Sequence, residues 1–153
     1  MGISLGFHIV FAAIGIGLPL LLLIAEGIAL RTGDDTYRQL AKRWGRVAAV
    51  LFAVGAVSGT ILSFEFGLLW PTWMGFSGGI IGFPFALEGF AFFTEAIFLA
   101  LYIYGWDRLS PLAHWLCTIP IVVASAASAF FVISVNGWMN QPAGFEMVNG
   151  KAV

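Results

Sequence analysis

Four ionisable side chains stand inside long apolar runs of this sequence: His8, Glu65, Glu88 and Glu95. A charge in hydrocarbon costs several kcal/mol unless it faces a bundle interior, a wet cavity or a bound group, so each is a candidate for function. Glu88 and Glu95 are seven residues apart, which returns a helix to nearly the same face with about 10 Å of rise between them. Two carboxylates on one apolar face can hand protons along through waters; the competing reading is pairing with helix ends or hydroxyls for packing alone. His8 has three readings: a haem-iron ligand, a proton relay, or an imidazole satisfied by a neighbouring backbone carbonyl.

The elements that must position these groups follow from composition. Of 153 residues 60% are hydrophobic and only 10% charged, with mean hydropathy +0.96, which excludes a water-soluble fold. Seven Lys and Arg against eight Asp and Glu leave a formal charge of −1, so nucleic acid is not the partner and membrane lipid is. Cys117 is the one cysteine, and no zinc or attached c-type haem spacing surrounds it. Nor is there a Walker, Rossmann or serine-nucleophile motif. The apolar runs predict an all-α, polytopic membrane protein: a single domain over residues 1–153, with a bundle of four transmembrane helices at about 2–29, 47–70, 84–104 and 112–135. Between the first two, the stretch from Arg31 to Arg46 reads as a loop at one membrane face, with Thr32–Asp35 a turn and helix cap followed by a basic, amphipathic approach to the membrane. Between the second and third, Pro71–Gly79 combines a proline with three glycines and reads as a Trp-rich interfacial loop ending at Pro84. Gly55 and Gly59 have the small-xxx-small spacing that lets helices approach closely.

Lys and Arg gather in the loops after the first and third spans, at Arg31, Arg38, Lys42, Arg43, Arg46 and Arg108, against Lys151 on the other side. That asymmetry predicts an outward amino terminus and basic loops facing the cytoplasm. By helical rise, His8 is then about 10 Å, Glu65 about 7 Å, Glu88 about 6 Å and Glu95 about 16 Å from the outer ends of their spans. One histidine and up to three carboxylates from three helices thus converge in the outer half. His114 lies at the opposite end, which excludes a haem ligated by both histidines. A haem on His8 is then five-coordinate, or takes a carboxylate or Met139 as its second ligand. His114, Glu26 and Asp107 read as interfacial or paired groups.

The chain resembles subunit I of the cytochrome bd quinol oxidases. The likeness is carried by Gly6–His8, by Arg31–Gly33 with Trp44 and Gly45, by Phe66 and Gly67 followed by Trp70, by Leu87–Gly89 with Glu95, by Gly105–Leu109, and by Asn136–Met139 leading to Pro142. The resemblance implies a bacterial cytoplasmic (inner) membrane enzyme that oxidises quinol and reduces oxygen to water in respiratory electron transport. It implies high-spin haem, b or d, with His8 as an axial iron ligand. Glu88 is then a second ligand or the final proton donor, and Glu95 the next glutamate of a proton path. Glu95 follows Glu88 at an interval of seven where the family pattern has eight, and Asn140–Pro142 reverses a family Gln-Asn-Pro. Family subunits have about nine spans, so the likeness reaches their first four helices. The implied partners are the remaining helices of subunit I, a second oxidase subunit, quinol and oxygen. The sequence therefore reads as a truncated product or fragment, inactive alone.

A second class of function stands beside this one: a small, non-enzymatic proton- or cation-conducting or haem-binding membrane module built on His8, Glu88 and Glu95. Stoichiometric haem distinguishes haem-binding readings from a bare proton path.

Overall fold

The computed structural model describes residues 1–153. Helix α1 covers Gly2–Thr32 and stops where Gly33 takes a left-handed φ of 71° and returns its N–H to the Ala29 carbonyl. Asp34 then caps α2, Asp35–Leu69, by accepting the Thr36 backbone N–H at 2.8 Å. The basic stretch expected as a loop is therefore the first turns of α2, and the connection shrinks to Gly33 and Asp34. Polar residues with good helix propensity, such as Arg38, Gln39, Lys42 and Arg43, continue a helix already capped.

The largest correction concerns the loop expected between the second and third spans. Helix α3, Pro71–Tyr104, begins directly after Trp70 and runs through Gly75, Gly78, Gly79 and Pro84. Pro71 sits at the first helical position, where its missing N–H leaves no bond unmade. Glycine weakens an isolated helix, but these turns are packed: Ser77 and Ile81 are buried, and a Cβ on Gly79 would stand 3.1 Å from the Ala152 carbonyl of the C-terminal tail. At about 51 Å, from 34 residues, α3 exceeds the roughly 30 Å hydrocarbon thickness.

After α3 a short connection leads to α4, Pro111–Leu116, and α5, Thr118–Asn140. The break at Cys117 has a local cause: Pro120 offers no N–H to the Leu116 carbonyl. Beyond α5, Met147–Val148 (β1) and Lys151–Ala152 (β2) form an antiparallel hairpin. Its turn, Asn149-Gly150, has positive φ at both residues, 52° and 77°, as a two-residue hairpin requires.

Four helical stretches, Gly2–Thr32, Asp35–Leu69, Pro71–Tyr104 and Pro111–Asn140, are long and apolar enough to cross a membrane. They close a ring: α1 packs on α2, α2 on α3, α3 on α5 and α5 on α1. The core is a thin layer of Leu22, Ala48, Leu99, Tyr102 and Ile121. Outside it large apolar residues face outward, Phe90 at 73% and Phe64 at 67% exposure, a distribution suited to lipid or further helices.

Candidate functional site

His8 projects from α1 onto α2. Its Nδ1 is 2.9 Å from the Ser58 hydroxyl oxygen, and a Cβ placed on Gly59 would meet its Cε1 at 3.0 Å. The Ser58 hydroxyl has a single hydrogen, directed to the Val54 or Gly55 carbonyl at 2.8 and 3.1 Å. Its oxygen can then accept from His8 Nδ1–H, the tautomer in which the Nε2 lone pair is free. A neutral imidazole oriented through one nitrogen and open at the other is the form that ligates iron. An apolar groove of about 620 Å³ runs alongside, walled by Phe7, Val54, Val57 and Ser58 among others.

Glu88 and Glu95 do share one face of α3, the face against α5. The Ser128 hydroxyl donates to Glu88 Oε1 at 3.0 Å, and Glu95, buried at 8% exposure, lies against the Ser125 hydroxyl. Glu88 is within electrostatic range of both His8 and Glu95. Serines thus flank all three groups: Ser58 of α2 beside His8, Ser128 of α5 on Glu88 and Ser125 of α5 near Glu95. Spacing alone assigns Ser125 and Ser128 to close helix packing and does not pair them with the glutamates. Their signal was available, since Ser125 and Ser128 interrupt an otherwise apolar helix at helical spacing.

Glu65 turns elsewhere. It accepts the Ser4 hydroxyl at 2.8 Å, and its other carboxylate oxygen is buried without a partner. Met139 is in the last turn of α5, exposed, about 16 Å of helix beyond Ser128.

His114, at the inner end of its span, is buried at 3% exposure. Its Nδ1 is 2.5 Å from Glu26 Oε1 and its Nε2–H donates to the Tyr102 carbonyl at 2.8 Å. Both ring nitrogens are thus engaged, and no lone pair is left for a metal. The Tyr102 and Trp106 rings pack on the imidazole with centroids 4.5 and 4.1 Å away. Nearby, Trp115 Nε1–H donates to the Leu23 carbonyl at 3.0 Å. Glu26 and His114 could have been paired by the same depth argument that grouped His8 with Glu88, since each is a lone ionisable group at the inner end of its span.

Known proteins share both the sequence and the fold of this chain. The chain is 44% identical over 150 residues to the putative cytochrome bd menaquinol oxidase subunit I of Bacillus subtilis, covering 98% of this chain and 34% of that protein. It is 37% identical over 139 residues to the cytochrome bd-II ubiquinol oxidase subunit 1 of Escherichia coli, covering 90% of this chain and 27% of the other. Among solved structures, the bd oxidase from Geobacillus thermodenitrificans superposes with a TM-score of 0.93 at 45% identity, over 98% of this chain and 35% of that one. The chain spans about a third of the length of these relatives. The profile of the cytochrome bd terminal oxidase subunit I family matches residues 1–153. From end to end, then, the chain belongs to the cytochrome bd terminal oxidase subunit I family.

Proposed function

We propose that this chain is the haem-ligating, proton-handling four-helix part of a quinol oxidase in a bacterial inner membrane, with its amino terminus outward. Together with the remaining helices of subunit I and a second subunit, it serves the transfer of four electrons from two quinols to one oxygen, giving two waters. The observation that carries this reading is the placement of His8: Nδ1 stands 2.9 Å from the Ser58 hydroxyl, beside an apolar groove, which leaves Nε2 as the nitrogen for iron. A bound high-spin haem, b or d, supplies the one-electron redox couple and the place where oxygen is reduced. The chain's own residues do the rest. Ser58 orients His8, and Glu88, bonded to Ser128, holds a proton beside it. Glu95, buried against Ser125, stands one step further along the same face of α3 and hands protons toward Glu88.

Nothing in the molecule favours the non-enzymatic module. The deciding experiment is His8→Ala in the whole oxidase, read by the reduced-minus-oxidised absorption spectrum and by haem content. Loss of one high-spin haem signal, with the other haems kept, is expected. An unchanged spectrum from an intact complex would overturn the assignment of His8.

A further inference from the structure

At the basic end of the bundle a cleft of about 340 Å³ opens between α2 and the α3–α4 connection. Its rim presents Lys42 and Arg46, one turn apart on α2, and Arg108 from the connection, against the single carboxylate of Asp107. None of these cations is engaged by a carboxylate within 4.0 Å; the ion pairs in the molecule are at Glu65 and at Glu26–His114. The Lys42 ammonium is 5.7 Å from the centre of the Trp106 ring, which floors the cleft with Ile103. Three unpaired cations facing one another repel, so the arrangement invites an anion.

The surroundings say which kind. The cleft lies where α2 passes from its polar first turns into its apolar run and where α3 ends. On the apolar side, Val47 and Val50 of α2 and Leu101 and Tyr104 of α3 are exposed. An occupant that fits both halves has a phosphate among Lys42, Arg46 and Arg108, and hydrocarbon lying along those apolar side chains. We propose that this cleft is a binding site for an anionic glycerophospholipid, its phosphodiester held by Lys42, Arg46 and Arg108. Asp107, the one carboxylate on the rim, can accept from a headgroup hydroxyl, so a glycerol headgroup suits the site better than a bare phosphate monoester. The site is independent of the proposed redox role and survives or fails without it.

The test uses the purified membrane complex that carries this chain, in nanodiscs of equal phosphatidylglycerol and phosphatidylcholine, with retained lipid counted by native mass spectrometry. The wild type retains phosphatidylglycerol in preference. Each cation removed lowers that preference roughly fivefold, the equivalent of about 1 kcal/mol per basic group near the surface. Lys42→Gln with Arg46→Gln therefore lowers it on the order of 25-fold, while Lys42→Arg with Arg46→Lys preserves it. Arg108→Gln, on the connection rather than on a helix, supplies an independent variant if the double change impairs assembly. Equal phosphatidylglycerol retention by wild type and the Gln variants overturns the site. Complete displacement of the lipid by millimolar inorganic phosphate also overturns it, by showing a free-anion site in place of a lipid site.

Discussion

Glu26 of α1 and His114 of α4 meet at 2.5 Å with both side chains buried, fastening the first helix to the short segment that precedes the last. Oε2 of the same carboxylate and the Tyr102 hydroxyl are both buried without any other partner, and the hydroxyl is placed to donate to the carboxylate. Removing one member of a buried pair strands the other, at about 3–5 kcal/mol. Glu26→Ala is therefore expected to lower the thermal unfolding midpoint of the assembled protein markedly, and Glu26→Gln, which can still bond His114, less so. Tyr102→Phe deletes the hydroxyl that faces this carboxylate and should cost about 1 kcal/mol. A Tyr102→Phe loss as large as that of Glu26→Ala would show that the hydroxyl, and not His114, is the main partner of Glu26.

The His8 ring lies against Gly59, where an added Cβ would stand 3.0 Å from Cε1, whereas a Cβ on Gly55 meets nothing within 4 Å. Gly59→Ala should displace the imidazole and perturb the haem absorption bands of the whole oxidase, and Gly55→Ala should leave them alone. Ser58→Ala removes the acceptor of Nδ1–H and is expected to weaken haem retention roughly 10- to 100-fold, by analogy with other outer-shell partners of metal-bound histidine. Haem-to-protein ratios measured on the three variants check both statements.

Glu88 and Glu95 are expected to differ in severity. Glu88→Gln removes the ionisable group beside His8 and should slow oxygen consumption by on the order of 10²-fold. Ser128→Ala leaves the carboxylate in place without its donor and should cost about 1 kcal/mol in its positioning, a several-fold effect. An oxygen electrode with excess quinol separates these outcomes. If Glu95→Gln were fully active while Glu88→Gln was not, the ladder would reduce to a single residue.

At the α1–α2 junction, the Thr36 backbone N–H, aided by the Thr36 hydroxyl, holds the Asp34 carboxyl below its ordinary value of 3.8. A carboxyl lowered on folding stabilises above its unfolded pKa, and that contribution is lost as pH falls through the lower folded value. The protection factor of the Thr36 amide should therefore hold down to about the ordinary carboxylate range and fall below it. Asp34→Asn keeps a capping oxygen and should abolish the pH dependence without fraying the helix at neutral pH.

Much of this molecule was legible in one dimension because a bilayer leaves a chain few choices. Long apolar runs must be helices there, and a charge within them must face inward, so the four spans, the shared face of Glu88 and Glu95 and the interest of His8 all follow from spacing. The stretch from Pro71 to Pro84 was misread because its prolines and glycines report propensity in an isolated helix, while here the helix is decided by the packing of its turns, with Ser77 and Ile81 buried. The Asn149-Gly150 hairpin was visible in principle but needed flanking residues free to pair. Which partners the charged groups found was beyond reach of spacing alone. Ser58 beneath His8, Ser128 on Glu88 and Glu26 on His114 join residues 40 to 88 positions apart, and only the rotation of each helix about its axis, set by packing around Leu22, Leu99 and Ile121, decides which faces meet.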